Sequence, residues 1–170
     1  MPVLACTTTP SSGFDTFFIY SQQEIDSLFQ GCVNISYPIV VGQNYSGSFV
    51  LPNTTTSVWE LRTYASPDPY GYTSDPLSNN ALDEGSLNLN LTSVIGNSVT
   101  SMAYLSLIGA PSFTSSSFPK LTNVASLTFQ DLGQDLTLDF SSLQTIDEFL
   151  AIATPISTCA CQSASPHRKQ

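Results

Sequence analysis

The chain has 170 residues, 41% of them hydrophobic, which suffices to bury the core of one domain. Four Lys/Arg stand against 13 Asp/Glu, so the formal net charge is −9 at pH 7. Nucleic acids and anionic lipid surfaces are bound by clustered cations, and this composition therefore excludes both as partners. The sequence also contains no run of 18 apolar residues that would predict a membrane span.

The cysteines form an N-terminal pair, Cys6 and Cys32, and a C-terminal pair, Cys159 and Cys161. The C-terminal two are too closely spaced to bond comfortably to each other. We predict a Cys6–Cys32 disulfide that ties the N-terminal segment to the first repeat, as in proteins of oxidising compartments. For Cys159, Cys161 and His167, a disulfide or a disordered tail is favoured over metal binding. No metal or cofactor site is predicted.

Residues 21–31 predict one short helix. Ser21 and Glu24 have the spacing of a capping box, and Gly31 can adopt the left-handed conformation that ends a helix. The apolar residues of this segment share one face: Ile25, Leu28 and Phe29. We expect the helix and the neighbouring disulfide to cap the N-terminal end of the fold.

An apolar pattern repeats every 22 residues in the second half of the chain. Its frame is apolar-x-x-apolar-x-x-apolar-x-apolar, in which the last x is a strand residue that points outward. The three copies are Val99, Met102, Leu105 and Leu107; Leu121, Val124, Leu127 and Phe129; and Leu143, Ile146, Phe149 and Ala151. Partial copies upstream, at offsets of 22 and 44 residues, contain Ile39 and Val41, then Val58, Leu61 and Thr63.

A second series begins with glycine, at Gly47–Leu51, Gly85–Leu89 and Gly133–Leu138, and predicts a further strand in each coil. A single coil of this size cannot bury its apolar face, whereas stacked coils form a continuous core. The sequence therefore predicts a mainly β fold, a β-solenoid of about four coils with one short N-terminal helix.

Three parts are predicted along the chain. Residues 1–16 form an N-terminal segment that carries Cys6, residues 17–153 form the solenoid with a long inserted loop at 64–86, and residues 154–170 form a disordered tail. The first residues lack the basic start and the apolar length of a signal peptide. We expect that a leader is missing from this form.

Four Asn-x-Ser/Thr sequons are candidate N-glycosylation sites, provided that the chain enters a secretory pathway: Asn34, Asn44, Asn53 and Asn90. Charged residues make up only 10% of the chain, whereas Ser and Thr are abundant. A surface of hydroxyls and amides, with attached sugar, is typical of extracellular proteins.

Several features occur in an order and spacing found in one protein family. They are the early Cys6, a helix that ends at Leu28–Cys32, then Ile39–Val41, Gly47–Leu51 and the coil Phe118–Phe129. Together they resemble the receptor L-type domain of fungal, GPI-anchored cell-wall organisation proteins and sporulation-specific wall proteins. The resemblance covers roughly residues 6–152, and its motifs are specific as a set rather than singly.

The resemblance implies a right-handed β-helix-like solenoid, N-glycosylated, at the cell surface or in the wall. It implies a role in wall integrity without catalysis, with a wall polysaccharide or a wall protein as partner. Members of the family usually carry a Ser/Thr-rich stalk and a hydrophobic GPI signal. This chain has neither, so anchoring and membrane insertion are not expected of this form.

A β-helix enzyme that processes polysaccharides is the main alternative class of protein. Its carboxylates would come from Asp131, Asp135 and Asp139, or from the pairs Asp83-Glu84 and Asp147-Glu148. Solvated turn carboxylates are the simpler interpretation. A histidine-based catalytic set is excluded in the body of the chain, because the one histidine is His167. A receptor-like ectodomain fragment that binds a protein ligand is the other alternative.

Leucine-rich repeats place Asn or Cys three residues after the paired leucines. This chain has Ala110, Leu132 and Thr154 there, which argues against that fold.

Two polar features are candidates for ligand binding. The outward strand columns contain Arg62, Ser106 and Thr128, and Glu60, Tyr104, Ser126 and Glu148. Candidate stacking residues for a sugar are Trp59 and the loop residues Tyr64, Tyr70 and Tyr72. The simpler interpretation is a solvated sheet with a loop packed on itself.

Overall fold

A computed structural model describes residues 6, 9–10, 15–63, 90–153 and 156–161. Within these residues the chain forms one helix and twelve strands. In chain order they are β1 Phe17–Ile19, α1 Gln22–Phe29, β2 Asn34–Ile35, β3 Ile39–Val41, β4 Ser46–Val50, β5 Ser57–Thr63, β6 Asn90–Ile95, β7 Ser101–Ala110, β8 Ser115–Ser117, β9 Asn123–Leu132, β10 Leu136–Phe140, β11 Thr145–Ala153 and β12 Ile156–Cys161.

The strands form two parallel sheets. Sheet A has the order β1-β3-β5-β7-β9-β11, with β2 beside β5, and sheet B has the order β4-β6-β8-β10-β12. Since consecutive strands of one sheet belong to consecutive coils, the fold is a β-solenoid of about five coils with two strands in most coils. This confirms the predicted fold, and the strand β1 adds a coil that the repeat did not reveal.

The 22-residue repeat sets the register of sheet A. Three predicted pairs face each other on β7 and β9: Met102 and Val124, Leu105 and Leu127, and Leu107 and Phe129. Strand β5 pairs directly with β7 at an offset of 44 residues, as predicted. The inserted segment 64–86 lies outside the described residues.

The prediction for the last coil was wrong by one residue. Ile146 faces Val124 as expected, but Leu127 faces Leu150 instead of Phe149. An irregularity between Ile146 and Phe149 inserts one residue into β11. Because side chains alternate along a strand, such an insertion exchanges the inward and outward positions that follow it.

Most coils have a second strand, as the glycine series predicted, and these strands form sheet B. Strand β4 pairs with β6, Asn90–Ile95, so that Phe49 faces Val94. The predicted Gly85–Leu89 lies outside the described residues. The register between β4 and β6 is set by the side chains that fill the core. The glycines instead allow a positive φ or a close approach of the backbone. Gly47 has a φ of +90°, while a Cβ on Gly133 would lie 2.4 Å from the Phe113 carbonyl oxygen.

Strand β12 falls inside the segment 154–170, for which disorder was predicted. It pairs in parallel with β10, so that Leu138 faces Cys159 and Asp139 faces Ala160. The sequence pattern missed this strand because most of its side chains are small or polar. The residues after Cys161 lie outside the described part of the chain.

The core lies between the two sheets and is built from columns of like residues. Phe118 and Phe140, one coil apart, stack with ring centroids 6.0 Å apart and an angle of 3° between the planes. Phe129 of sheet A contacts Phe140 at 6.0 Å. All three side chains are buried, so that the sheets are joined by aromatic contacts within and between coils.

The core column that contains Ser116 includes a buried hydroxyl, whose removal should change the stability of the fold. Ser116 is 1% exposed, and its hydroxyl has no hydrogen-bond partner among the described residues. Replacing Ser116 by alanine is expected to raise the free energy of unfolding by about 1 kcal/mol, because an unsatisfied buried hydroxyl is removed. Urea denaturation measures the change. Ser115→Ala on the outer face is the control and should change it by less than about 0.5 kcal/mol. A destabilised Ser116→Ala variant would contradict the prediction.

Helix α1 closes the N-terminal edge of sheet B. Its N-cap is Ser21, whose hydroxyl accepts a hydrogen bond from the Glu24 amide. Glu24 Oε2 accepts from the Tyr20 amide instead of the Ser21 amide of an ideal capping box. The Gln22 side chain donates to the Val50 carbonyl at 2.8 Å and accepts from the Val50 amide at 2.9 Å. A single carboxamide thus satisfies both backbone groups of an edge-strand residue.

Tyr45 lies beneath this helix and is fully buried. Its hydroxyl lies 2.9 Å from the Ser48 carbonyl oxygen and 3.1 Å from Gln22 Oε1, and both atoms are acceptors. Burial, and secondly the charge of Asp26, raise the pKa of Tyr45 from 10.0 to about 12. The neutral phenol is therefore the form that the fold stabilises.

The raised pKa of Tyr45 gives a second prediction, for alkaline pH. The stabilisation that the neutral Tyr45 phenol contributes is complete at pH values below about 10, the pKa of tyrosine in the unfolded chain. It is lost as the pH rises through about 12, the pKa of Tyr45 in the folded chain. The free energy of unfolding is expected to fall by about 2 kcal/mol between pH 9 and 12 from this group alone. Urea denaturation across this range, compared with Tyr45→Phe, isolates the term. An equal pH dependence in both proteins would contradict it.

The predicted Cys6–Cys32 disulfide is present, with the Cα atoms 4.9 Å apart. Cys159 is also disulfide-bonded. Among the described residues, no helix is long and apolar enough to cross a membrane.

Candidate functional site

A groove crosses the outer face of sheet A along the solenoid axis. It has a volume of about 420 Å³ and is lined by residues near the beginnings of five strands, β2, β5, β7, β9 and β11. At about 4.8 Å per strand, it extends over about 19 Å. We call it the axial groove; its lining residues are Asn34, Ser36, Ser57, Val58, Trp59, Ser101, Met102, Ala103, Asn123, Val124, Ala125 and Asp147.

The repeat itself explains the shape of the axial groove. Each frame places two outward residues between its second and third apolar residues, as at Trp59 and Glu60 between Val58 and Leu61. The first of these two positions forms a column that continues from Trp59 through alanines to Asp147. Its members are Trp59, Ala103, Ala125 and Asp147. Because the two alanines are small, they form the floor of a trough between the indole and the carboxylate.

A row of hydroxyls and amides forms one wall of the groove. Its members are register partners in successive strands: Asn34, Ser57, Ser101 and Asn123. Behind them, the Thr100 hydroxyl donates to the Thr56 carbonyl at 3.1 Å, and the Thr122 hydroxyl donates to the Thr100 carbonyl at 2.9 Å. These bonds between coils hold the wall in place.

The polar groups of this wall differ in their bonding. Asn123 Nδ2 donates to the Thr122 hydroxyl at 2.9 Å, and Asn123 Oδ1 accepts from the Thr145 hydroxyl at 2.6 Å. The hydroxyls of Ser57 and Ser101 form no hydrogen bond with another described residue. A fixed amide and two open hydroxyls therefore face the groove and can exchange hydrogen bonds with a ligand.

Trp59 is the aromatic surface of the groove. Its side chain is 45% exposed, although tryptophan is usually well buried. The ring packs edge-on against Tyr104, with centroids 5.8 Å apart and an angle of 74° between the planes. This contact fixes the indole and leaves much of it open to solvent. Of the predicted stacking residues, Trp59 thus lines the groove, whereas Tyr64, Tyr70 and Tyr72 lie outside the described residues.

The prediction that the outward columns are solvated was wrong for two charged residues. Glu60 and Arg62 are 3% and 2% exposed, and Glu60 Oε1 lies 3.1 Å from Arg62 Nε. Pairing of opposite charges offsets part of the cost of removing them from water, so both can be buried. The other outward residues are half-buried: Tyr104, Ser106, Ser126 and Thr128. The side chain of Glu148 lies outside the described part.

The candidate catalytic carboxylates that the structure describes lie in different parts of the fold. Asp131, near the end of β9, and Asp135, just before β10, have φ angles of 50° and 61°, a conformation that Asp tolerates. Asp139 Oδ2 accepts a hydrogen bond from the Ser117 hydroxyl on sheet B. Only Asp147 lines the axial groove, whereas Asp83 and Glu84 lie outside the described residues.

No family model, curated protein or solved structure matches the chain. The proposal for its function therefore rests on the groove and on the sequence. Within the described residues, no group of three or more metal-binding side chains occurs.

The four sequon asparagines are all exposed. Asn34 is on β2 and lines the axial groove, whereas Asn44 and Asn53 lie in the turns before and after β4. Asn90 begins β6 in the other sheet. Sequence reasoning identified Trp59 and Asn34 but missed Ser57, Ser101 and Asn123. These could have been found by aligning the residues just before the second apolar position of each 22-residue frame.

Proposed function

We propose that the chain is a non-catalytic extracellular glycoprotein whose axial groove binds an extended, neutral polysaccharide chain. The observation that carries the proposal is the exposed Trp59 ring beside a row of open hydroxyls and amides. Sugars present an apolar face that packs on an aromatic ring and a rim of hydroxyls that exchange hydrogen bonds. A groove with both kinds of surface suits them.

The charges of the groove favour a neutral glycan. Among the described residues, its lining contains one carboxylate, Asp147, and no Lys or Arg. Acidic polysaccharides would need cations to offset their charge, and the net charge of −9 would repel them further. Uronic-acid polymers are therefore the disfavoured ligands.

The direction of the groove favours a linear chain. Polar groups recur from one strand to the next, at about 4.8 Å steps along the solenoid axis. A straight polysaccharide laid along this axis would meet a hydrogen-bonding side chain at each step, from Asn34 through Ser57 and Ser101 to Asn123. A compact ligand would use only part of this row.

The proposed place of action is the cell wall or the outer cell surface. A disulfide between Cys6 and Cys32 suits an oxidising compartment, and exposed sequons suit a secretory route. The resemblance to fungal wall-organisation proteins points the same way. In this proposal the solenoid is a rigid rod that holds a glycan and contributes to wall integrity.

Fluorescence of Trp59, the one tryptophan of the chain, tests the proposal directly. The unglycosylated chain is titrated with neutral β-1,3- and β-1,4-linked oligosaccharides and with oligogalacturonate. We expect a fluorescence change with a neutral series only. For Trp59→Ala, calorimetry should give a Kd at least tenfold higher, a loss of about 1.4 kcal/mol.

The control for this experiment is Thr137→Ala, an exposed position on β10 of sheet B. It should leave the Kd within twofold of the parent. The proposal fails if Trp59→Ala binds as tightly as the parent, or if no neutral oligosaccharide binds at millimolar concentration.

Polysaccharide processing is a second candidate function because of Asp147. It lines the groove, but most glycoside hydrolases use two carboxylates that flank the bond to be cleaved. A reducing-end assay on the same oligosaccharides distinguishes the two functions. Release of sugar that is lost in Asp147→Asn would favour the enzyme over the binding protein.

A further inference from the structure

We infer that an N-glycan on Asn34 lies in the axial groove against Trp59 and closes the groove to other glycans. The inference rests on the proposed function in one respect, because it takes the groove to be a sugar-binding surface. It adds regulation of that surface by a covalent modification of the chain itself.

The position of Asn34 distinguishes it from the other three sequon asparagines. It lies on β2, opposite Ser57 of β5, and it lines the groove together with Ser36 and Trp59. Ile35 between them is fully buried. Since alternate residues of a strand point to the same side, the side chains of Asn34 and Ser36 both face outward into the groove.

The distance between Asn34 and Trp59 suits the first sugar of an N-glycan. Trp59 lies one strand step across and two residues along from Asn34. With a strand spacing of about 4.8 Å and a rise of about 3.3 Å per residue, their Cα atoms are about 8 Å apart. An N-acetylglucosamine ring attached to Asn34 Nδ2 spans this gap, so its apolar face can pack on the exposed indole.

The bonding of the groove also suits an attached glycan. The side chain of Asn34 forms no hydrogen bond with another described residue, so its amide is open for modification. The next groups along the wall are the open hydroxyls of Ser57 and Ser101. The N-glycan core is neutral, as the lining of the groove requires. Because the glycan is tethered, its effective concentration at the groove is in the millimolar range or above.

The consequence is a groove with two forms. Chains without sugar on Asn34 bind an external polysaccharide, and chains with sugar on Asn34 do not. The fraction of chains that bind the wall is then set by glycan occupancy at one sequon.

The test uses the full chain produced in a secreting eukaryotic host. Glycopeptide mass spectrometry measures occupancy at Asn34, and acrylamide quenching of the single tryptophan measures the exposure of Trp59. We expect the quenching constant of the Asn34-glycosylated chain to be at least twofold lower than that of Asn34→Gln or Ser36→Ala. Both variants destroy the sequon, and the second keeps the asparagine.

Asn53→Gln is the matched control, because it removes an exposed sequon that does not line the groove. Its quenching constant should equal that of the parent. The inference is overturned if Asn34 carries no glycan, or if Trp59 is quenched equally with and without it.

The proposed function and this inference are tested by different measurements. Binding of neutral oligosaccharides to the unglycosylated chain tests that function alone, whereas protection of Trp59 by the Asn34 glycan needs no added ligand. If both hold, the chain glycosylated at Asn34 should bind the oligosaccharide at least tenfold more weakly than the unglycosylated parent chain, which keeps every side chain of the groove.

Discussion

Replacing Phe140 by alanine is expected to lower the free energy of unfolding by about 3–5 kcal/mol. Phe140 is 1% exposed and contacts two other aromatic rings, Phe118 of the preceding coil and Phe129 of the opposite sheet. Truncation removes these contacts and leaves a cavity that strands on both sides hold open, because parallel ladders fix the spacing of the coils.

Urea denaturation followed by circular dichroism measures this loss. Thr137→Ala on the same strand is the control, since its side chain is exposed, and it should change the free energy by less than about 0.5 kcal/mol. Phe140→Leu, which keeps most of the volume, should cost clearly less than Phe140→Ala. A loss below about 1.5 kcal/mol for Phe140→Ala would show that the aromatic column is not a main source of stability.

Removal of the Cys6–Cys32 disulfide is expected to cost about 3.5 kcal/mol. The bond joins residues separated by 26 positions, and a loop of this length loses about that much chain entropy in the unfolded state when it is closed. The double variant Cys6→Ala/Cys32→Ala is the appropriate test. A reducing agent is not, because it would also reduce the disulfide of Cys159.

The double variant and the oxidised parent are compared by urea denaturation without reductant. Hydrogen exchange locates the effect. The loss of amide protection should be largest around β2 and α1, because Cys32 is buried between these elements. It should be small in the coils after β9. Equal stability of both proteins would show that this disulfide does not stabilise the folded state.

Much of sheet A could be predicted from the sequence, because its side chains fill a continuous core. A residue that must be apolar in every coil leaves a column at offsets that are multiples of 22 residues, as at Leu61, Leu105 and Leu127. The last coil was predicted one residue out of register. A single residue inserted into β11 leaves the amino-acid composition of the strand similar but shifts which of its residues face those of β9. Sheet B was harder, because β8 is Ser115–Ser117 and has no apolar residue to mark it.

The site was predictable only where one residue type is rare. Trp59 stands out as the single tryptophan, and its place near the tyrosine-rich loop already made it a candidate for stacking on a sugar. Ser57 and Ser101 do not stand out in a chain rich in serine. They can be recognised as part of the groove only once the strand register that places them side by side is known. The burial of Glu60 and Arg62 could not be foreseen, because alternation tells which face a side chain is on and not whether that face is covered.

The carboxamide of Gln22 has a consequence for how copies of this chain behave at high concentration. A parallel sheet normally presents a template at its first strand, where any extended peptide can be recruited. Here one side chain occupies both the donor and the acceptor of Val50, and helix α1 packs beside β4. Recruitment at this edge would require the helix to leave. Strand addition at β4 is thereby hindered by Gln22 together with helix α1.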